Sequence, residues 1–355
     1  MIDFLIIGGG IAGLSAGARL SERGQVTVLE GEEALGYHAS GRSAAMFAPA
    51  YGPPAVIALN LASAAHFETN DYLSPRGWVL IGGKDQHDVF HRDADQLGGR
   101  QISFDAAQSL IPILNPETVG FAAHSDSEQD IDTDRMMQDF ARTIRGNGGS
   151  VLTRQSVTAI RKHRHWIVEA TESFEARHIV NAAGAWVDEI AAMAGIAPIG
   201  IQPRRRSMAR IPAPGGHDLR AWPMMLGAGE SWYAKPDAGK LLVSPADADP
   251  TAAHDAFADD MVLAEGLARY EAMVTEPVTR VETNWAGLRS FAPDGSLVLG
   301  PDPTDPTFIW SAGQGGYGFQ TAPAASQLVA DLTVGNQSSL DTATIASLRP
   351  DRLHR

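Results

Sequence analysis

The stretch of sequence that decides the fold is residues 4–30, which read FLIIGGGIAGLSAGARLSERGQVTVLE. Residues 4–7 form a short apolar run, typical of a strand that is buried on both faces. Residues 11–23 place alanine and leucine at helical spacing, and residues 25–29 predict a second strand that ends at Glu30. The order strand, helix, strand predicts an α/β fold that starts with a Rossmann-like unit.

Three glycines between the first strand and the helix predict a dinucleotide-binding turn. Gly8 permits the tight turn, Gly10 lets the backbone approach a pyrophosphate, and Gly13 allows the helix to pack closely on the strand. The free N–H groups at the helix N-terminus favour the phosphates, and Glu30 can accept hydrogen bonds from the adenosine ribose. The predicted cofactor contacts are Gly8, Gly10, Ile11, Ala12, Gly13 and Glu30. This motif alone does not distinguish FAD from NAD.

Three further segments favour FAD. Residues 36–45 read GYHASGRSAA, and their N–H and hydroxyl groups can reach a diphosphate or the flavin edge; a plain surface loop is the alternative. Residues 181–186 read NAAGAW, whose small side chains permit close approach to a cofactor. Residues 313–318 read GQGGYG before the last predicted helix, where N–H dipoles can stabilise negative charge on a reduced flavin. The predicted contacts here and in the central strands are Ser40, Gly41, Arg42, Ser43, Ala44, Ala45, Val157, Ala183, Gly184, Trp186, Gly315, Gly316, Tyr317, Gly318, Gln320 and Thr321.

The FAD is predicted to be bound non-covalently and without a metal. Because the chain has no cysteine, a thioether link to the flavin, a disulfide and a thiolate metal site are all excluded. A covalent link through His38, which lies in the glycine-rich segment, is left open. His163 and His165 lie in a basic turn that does not predict metal binding.

Composition and charge exclude several other classes of protein. The chain has 355 residues, 44% of them hydrophobic and 20% charged, with a formal net charge of -14, which is unlike a basic nucleic-acid surface. The first residues lack the basic start and long apolar run of a signal peptide. No apolar stretch approaches the roughly 20 residues that span a bilayer. We therefore expect a cytoplasmic protein without a nucleic-acid partner, either a monomer or a small homo-oligomer.

The rest of the chain predicts two interleaved domains. Helices are predicted near residues 55–68, 134–145, 259–274 and 321–332, and strands within 150–181, 231–244 and 296–312. After the first of these helices, the region up to about residue 130 is predicted to be rich in loops. The predicted FAD-binding domain comprises residues 1–48, 130–200 and 286–355. The predicted substrate domain, with a mixed sheet, comprises residues 49–129 and 201–285.

The order of these motifs resembles the FAD-dependent D-amino acid oxidase superfamily, which includes glycine oxidase and monomeric sarcosine oxidase. Within it the chain most resembles the bacterial D-arginine dehydrogenases. Beyond the glycine motifs, the similar stretches are DIDTD at 130–134, QPRRRS at 202–207, WPM at 222–224, YAKPDAG at 233–239, SPADADP at 244–250 and WAGLRSF at 285–291. The resemblance covers nearly the whole chain.

The resemblance also implies roles for four side chains. In that superfamily arginine and tyrosine hold the carboxylate of the amino acid, which points here to Arg206 and Arg289 as ligands, with Tyr233 and Tyr51 closing the site. A guanidinium fork suits a carboxylate, and Arg289 lies in an otherwise small and apolar stretch, where an unpaired charge would be costly. The alternatives are structural salt bridges for the arginines and core packing for the tyrosines.

Two positions depart from the pattern and bear on specificity. The relatives carry a glutamate for the substrate guanidinium where this chain has Trp78, and a pocket histidine where it has Met46. Both differences replace polar partners with apolar surface. A buried substrate guanidinium would lose its counter-charge at a cost of several kcal/mol, so the sequence predicts hydrophobic, aromatic or small D-amino acids over D-arginine.

The predicted reaction is oxidative deamination of a D-amino acid. The arginines orient the substrate so that hydride passes from Cα to flavin N5. The amine must be neutral at that moment, which predicts an acid limb in the pH profile of kcat/KM. The resulting imino acid then hydrolyses to the 2-oxo acid and ammonia. The electron acceptor is left open between dioxygen, a quinone and a carrier.

Other functions are compatible with parts of the same pattern. A related FAD enzyme could act on a secondary amine or a 2-hydroxy acid, since the carboxylate ligands would serve all of them. An NAD-dependent Rossmann dehydrogenase and a flavoprotein subunit active only within a complex are the remaining alternatives.

Overall fold

The computed structural model describes residues 1–353, which contain nine α-helices and three sheets. The strands are β1 (Ile2–Ile7), β2 (Val26–Leu29), β3 (Met46–Phe47), β4 (Leu73–Pro75), β5 (Trp78–Gly83), β6 (Arg100–Ile102), β7 (Val119–Ser125), β8 (Gln129–Ile131), β9 (Ser150–Leu152), β10 (Ala159–Lys162), β11 (Trp166–Glu169), β12 (Ser173–Asn181), β13 (Gln202–Ile211), β14 (Met224–Gly227), β15 (Tyr233–Asp237), β16 (Lys240–Ser244), β17 (Thr283–Phe291), β18 (Val298–Pro301) and β19 (Phe308–Ala312). The helices are α1 (Ile11–Leu20), α2 (Pro54–Asn70), α3 (His87–Leu97), α4 (Phe104–Leu110), α5 (Thr133–Gly146), α6 (Val187–Met193), α7 (Asp260–Glu271), α8 (Gly318–Val334) and α9 (Thr342–Ala346). The last two positions of the predicted segment 286–355 lie outside the described residues.

The first sheet carries the predicted β-α-β unit. Its order is β10-β11-β12-β1-β2-β9, with β19 beside β12 and β18 beside β19. The centre is parallel, because β1 pairs with both β12 and β2, and β12 pairs with β19. Strand β2 is buried along its whole length, as expected for a short apolar strand in a parallel sheet. The predicted α/β fold class is confirmed.

Helices cover both faces of the first sheet. Successive side chains of a strand point to opposite faces, so Ile6 packs with Leu14 of α1 and Leu328 of α8, whereas Leu5 packs with Ile190 of α6. Helices α2 and α5 add to the first of these cores. The carboxyl ends of β1 and β2 are therefore held rigidly between two layers of helices.

The second sheet is mixed, as predicted. Its order is β17-β13-β16-β15-β14-β5-β7-β6, and every neighbouring pair is antiparallel except β14 with β5. The hairpin β15–β16 turns at Ala238 and Gly239, both of which have positive φ angles, as a two-residue turn requires. Strand β17 pairs with β13 from residue 283 onwards, on both sides of the domain boundary that the sequence predicts at 286.

The prediction that the region up to residue 130 is rich in loops is wrong. It contains β4–β8, α3 and α4. Strand β5 is buried at every position and therefore lacks the alternation of polar and apolar residues that identifies a half-buried strand. Helix α3 is mostly polar and buries only Phe90 and Ala94, so its helical periodicity is hard to recognise in the sequence.

A third, small sheet of order β3-β8-β4 joins the two large ones. Asp130 of β8 lies between two cations: Nε of Arg76 donates to its Oδ2 at 2.7 Å, and Nζ of Lys235 lies 2.9 Å from its Oδ1. Lys235 also donates to the carbonyl of Ala45 at 3.0 Å. The second sheet is thus tied to the glycine-rich segment 36–45.

Candidate functional site

A cavity of about 470 Å³ lies between the carboxyl ends of β1 and β2 and one face of the second sheet. The predicted site residues that line it are Gly8, Gly10, Ile11, Ala12, Glu30, Ser40, Arg42, Ser43, Ala44, Ala45, Met46, Val157, Ala183, Gly184, Trp186, Arg206, Tyr233, Arg289, Gly315, Gly316, Gly318 and Gln320. The glycine turn and the segments 36–45, 181–186 and 313–318 are far apart in sequence but meet at one concave surface. Such a surface is typical of a small-molecule site.

The glycine turn at one end of the cavity has no room for side chains. A Cβ atom on Gly13 would lie 1.9 Å from the carbonyl oxygen of Gly8, and one on Gly8 would lie 2.4 Å from that of Ala182. The N–H of Ile11, in the first turn of α1, donates to Oγ of Ser40 at 3.0 Å. This close packing exposes backbone rather than side chains to a phosphate at the helix N-terminus.

Glu30 is fixed in position at the end of β2. Its Oε2 accepts the N–H of Gly9 at 2.8 Å, and its Oε1 accepts that of Glu32 at 2.9 Å. A carboxylate has about four acceptor sites, so each oxygen can still accept a hydroxyl. The carboxylate is therefore preorganised for a ribose.

The guanidinium of Arg42 binds protein groups. Its Nη1 donates to the carbonyls of Ala256 and Ala286, each at 2.8 Å, and its Nη2 lies 2.5 Å from Asp255. Its backbone carbonyl accepts Nε1 of Trp285 at 3.2 Å. The side chain thus fastens the glycine-rich segment to β17 and to the chain before α7.

Buried polar atoms on the lining indicate that the cavity is built for a polar ligand. Oε1 of Gln155, Nε2 of Gln320 and Nε of Arg206 are buried without a hydrogen-bond partner among the described residues. Buried polar atoms are rarely left unpaired in native proteins. Sequence reasoning missed Gln155, although it follows β9, and ligands of open α/β sheets bind at the carboxyl ends of the strands.

Arg206 and Arg289 lie at the other end of the cavity. They occupy neighbouring antiparallel strands, where Arg206 of β13 pairs with Gly287 and Arg289 of β17 pairs with Arg204. Because paired residues and every second residue share a face, both side chains point to the same side of the second sheet. Both residues are half-buried, and neither guanidinium has an ion pair or hydrogen bond within the described part of the chain. Burial lowers the pKa of Arg206, and the charge of Arg289 lowers it further.

Three tyrosines lie around the arginines. The ring of Tyr233 lies 5.9 Å from the guanidinium carbon of Arg206, and the rings of Tyr51 and Tyr317 lie 5.5 Å apart. Tyr51 is 38% exposed, yet enough protein surrounds its hydroxyl for burial to raise the pKa, an effect that Arg289 partly opposes. Burial raises the pKa of Tyr317 too, and Tyr51 adds to the shift. Tyr51 and Tyr317 therefore stay neutral near pH 7.

Six predicted residues lie within the described chain but outside the cavity lining. They are Gly13, Gly41, Tyr51, Trp78, Tyr317 and Thr321. Gly13 packs beneath the glycine turn, the N–H of Gly41 donates to the carbonyl of Gly36, and Oγ1 of Thr321 donates to that of Tyr317. These three support the lining from behind.

Trp78 and Met46, the two predicted specificity positions, have different surroundings. Met46 lines the cavity. Trp78 is 4% exposed and packs with Phe90 and Ala94 of α3, although it pairs with Met224 on the same sheet face as Tyr233. Trp78 therefore packs against helix α3, which the sequence did not predict, and does not line the cavity.

This placement predicts that Trp78 acts on stability. We expect Trp78→Ala to lower the free energy of unfolding by about 3–5 kcal/mol, the usual result of truncating a buried aromatic side chain. Denaturant unfolding of the holoprotein measures this loss. A preserved ranking of substrates is the second expected result, and a changed ranking at unchanged stability would contradict the placement.

His38 lines the cavity, whereas His163 and His165 lie together in a turn, where the N–H of His163 donates to the carbonyl of His165 at 3.1 Å. Nε2 of His38 lies 2.9 Å from Glu32, and its ring lies 4.7 Å from Trp186 on the cavity side of the glycine-rich segment. No group of three or more potential metal ligands occurs among the described residues. Likewise, no helix within residues 1–353 is long and apolar enough to cross a membrane.

Comparison with known sequences identifies similar proteins. The chain matches the family described as DAO, FAD dependent oxidoreductase, over residues 3–332. It is 25% identical to FAD-dependent oxidoreductase domain-containing protein 1 of Bos taurus, over 94% of this chain and 81% of that protein. It is 36% identical to a D-amino acid dehydrogenase of Xanthobacter autotrophicus, but only over 19% of this chain and 16% of that protein.

Solved structures share the fold. Glycine oxidase from Geobacillus kaustophilus superposes with a TM-score of 0.81 at 21% identity, covering 97% of both chains. L-Proline dehydrogenase from P. horikoshii superposes with a TM-score of 0.82 at 20% identity, covering 100% of this chain and 98% of that one. The resemblance inferred from the sequence motifs is confirmed at the level of family and fold.

Proposed function

Because this chain belongs to the DAO family of FAD-dependent oxidoreductases, we propose that it oxidises a D-amino acid with an apolar side chain to the 2-oxo acid and ammonia. The observation that carries this proposal is the pair Arg206 and Arg289, two cationic side chains on one cavity wall that form no ion pair with a carboxylate of residues 1–353. A half-buried guanidinium needs an anionic partner. The carboxylate of a substrate supplies it.

The lining fits FAD at its other end. The N-terminus of α1 and Ser40 suit the diphosphate, Glu30 suits the ribose, and the unpaired atoms of Gln155 and Gln320 are available to the two ring systems. When bound, FAD would accept the hydride that leaves the substrate, and with it both electrons of the oxidation.

The protein side chains bind and orient the substrate. Arg206 and Arg289 can each donate two parallel hydrogen bonds to a carboxylate oxygen pair, which fixes the direction of Cα. Tyr233, which stacks beside Arg206, narrows the same site. Hydride can leave only when the substrate amine is neutral. Among the described residues, no carboxylate forms an ion pair with Arg206 or Arg289. Arg206, Arg289 and Tyr233 therefore contribute to catalysis mainly by positioning the substrate.

The sheet above the cavity favours an apolar substrate side chain. Met208, Tyr233 and Leu242 form a buried cluster there, against which Met224 and Leu226 pack. A cationic side chain would lose its hydration against this apolar surface. D-Leucine and D-phenylalanine are accordingly the preferred substrates, and D-arginine is a poor one.

An anaerobic absorbance titration with matched D- and L-amino acids tests the proposal. We expect D-leucine and D-phenylalanine to bleach the oxidised flavin band, and their L-isomers and D-arginine to leave it unchanged. Bleaching by proline, sarcosine or a 2-hydroxy acid in place of any primary D-amino acid would contradict the proposal. Flavin that none of these reduces would indicate a missing partner subunit.

The pKa of Tyr51 leads to a prediction about pH. Its hydroxyl has a pKa above the ordinary 10.0 and so stays neutral in assays below that pH. We expect kcat/KM to rise with pH as the substrate amine loses its proton, without a fall below about pH 10 from ionisation of Tyr51. Tyr51→Phe should lower the plateau but keep the acid limb. If the limb vanished in this variant, the substrate amine would not be the titrating group, and the prediction would fail.

A further inference from the structure

The segment 244–250, SPADADP, forms a clasp on the strand that carries Arg206. The side chain of Asp247 is 4% exposed and accepts three hydrogen bonds from β13. Its Oδ1 accepts the N–H of Ser207 at 2.6 Å, and its Oδ2 accepts Oγ of Ser207 at 2.8 Å and Nε of Arg205 at 3.1 Å. The carboxylate thus binds the residues immediately before and after Arg206.

The clasp replaces a strand neighbour that β13 lacks at this point. From residue 209 onwards β13 pairs with β16, but around Arg206 β17 is its one neighbouring strand among the described residues, apart from an isolated bridge between Arg204 and Pro250. The other edge is held by Asp247 and by the backbone of the same segment, since the N–H of Arg205 donates to the carbonyl of Asp249 at 2.9 Å. Successive side chains of a strand point to opposite faces of the sheet. Residues 205 and 207 point to one face, so holding them in place fixes the direction in which Arg206 points to the opposite face.

Arg206 needs such support because its surroundings oppose its charge. Burial and the neighbouring Arg289 both disfavour the guanidinium, and Asp247 is the carboxylate that acts favourably on it. Asp247 reaches this position through Ala246, whose φ angle of 56° lies in the left-handed region, where residues with a side chain are uncommon. The strained turn is held by Oγ of Ser244, which accepts the N–H of Ala246 at 3.1 Å. Strain of this kind is kept where the surrounding structure requires one geometry.

We propose that Asp247 is a positioning residue for the carboxylate site: by clasping Arg205 and Ser207 it holds Arg206 in the orientation that receives the substrate carboxylate. The proposal rests on the proposed function only in that Arg206 binds a carboxylate. It does not depend on which amine or stereoisomer is oxidised.

The experiment measures the binding of isovalerate, which is valine without its amine and cannot be oxidised in the same way. Perturbation of the flavin spectrum of the holoprotein gives Kd for the wild type, Asp247→Asn, Arg206→Ala and the double variant. Asp249→Asn is the matched control, because Asp249 also pairs with Arg205, through Nη2 at 3.0 Å, but is 63% exposed and does not touch Ser207.

We expect Asp247→Asn to raise Kd by about tenfold, in the range of couplings between residues in contact. The control should change it by less than about twofold, as is usual for an exposed ion pair. In the Arg206→Ala background Asp247→Asn should have no further effect, because its contribution passes through Arg206. An unchanged Kd in Asp247→Asn, an equal loss in Asp249→Asn, or additive losses in the double variant would each overturn the proposal.

Two measurements keep the result interpretable. FAD content and melting temperature show whether Asp247→Asn still folds, and if it does not, Ser207→Ala removes one hydrogen bond to the same carboxylate and should raise Kd by a smaller factor. An unchanged Kd in that variant would then overturn the clasp.

If the wild type binds isovalerate through Arg206 and Asp247 but no D-amino acid reduces the flavin, the clasp stands and the proposed substrate fails. If D-leucine reduces the flavin and Asp247→Asn binds isovalerate like the wild type, the proposed substrate stands and the clasp fails. A wild type that binds no carboxylate overturns both.

Discussion

We expect Arg289→Met to lower kcat/KM for D-leucine by about a thousandfold. Removing one partner of a buried, hydrogen-bonded charge pair costs roughly 2–5 kcal/mol, and about 4 kcal/mol corresponds to a factor of 10³ in rate. Arg289 is half-buried on β17, and a Cβ atom on Gly316 would lie 3.3 Å from its Nη1, so it borders the glycine turn before α8. Methionine keeps the length of the side chain and removes its charge. Steady-state kinetics with D-leucine measure the loss.

The same replacement at Arg280 is the control. Arg280 precedes β17 in the chain, its side chain is 68% exposed, and it pairs with Glu282 on the surface. We expect Arg280→Met to keep kcat/KM within about twofold, since exposed ion pairs contribute little. If Arg289→Met kept wild-type kcat/KM while the flavin was still reduced by D-leucine, Arg289 would not be a carboxylate ligand.

Gly13→Ala should yield a protein with less than about a tenth of the wild-type FAD content. The added Cβ would lie 1.9 Å from the carbonyl oxygen of Gly8. That oxygen is part of the backbone and cannot rotate away, so α1 has to move off β1 and the N-terminal turn loses its geometry for the phosphates. The ratio of flavin absorbance to protein absorbance after purification measures the cofactor content.

Gly146→Ala is the matched control for this variant. Gly146 ends α5, and no other group lies within 4 Å of the position that its Cβ would take. Alanine there should retain FAD and slightly stabilise the helix, because alanine has the higher helix propensity. Full FAD content in Gly13→Ala would contradict the prediction, because α1 would then keep its position on β1 despite the added Cβ atom.

The parts of the site that the sequence predicts are those in which a short motif determines its own geometry. The glycine turn, α1 and Glu30 lie within one β-α-β unit, so the spacing of a few residues fixes their arrangement. The strands of the hairpin β15–β16 likewise lie within residues 231–244, where the local sequence predicts strands. FAD as cofactor and the family follow from several such motifs in one order.

The parts that were not predicted depend on contacts between distant segments. The sequence predicts Trp78 as a pocket residue, whereas its packing against α3 is a tertiary contact that no local pattern shows. The partners of the Arg42 guanidinium come from residues 255, 256 and 286, which no local pattern connects with the glycine-rich segment. Asp247 lies in a motif that was recognised only as a likeness, and its role becomes visible only when β13 lies beside it.

The interleaved strand order of the first sheet has a consequence for how the protein folds. β1 pairs with β12, from Ile2 opposite Ala176 to Ile7 opposite Asn181, and β12 reaches its parallel neighbour β19 only at residues 308–310. Pairings between such distant segments close large loops before they gain any contacts, which slows folding. During synthesis the edges of β1 and β12 wait for strands that emerge from the ribosome much later. We therefore expect refolding to be slow and sensitive to protein concentration, because unpaired strand edges are the sites at which chains aggregate.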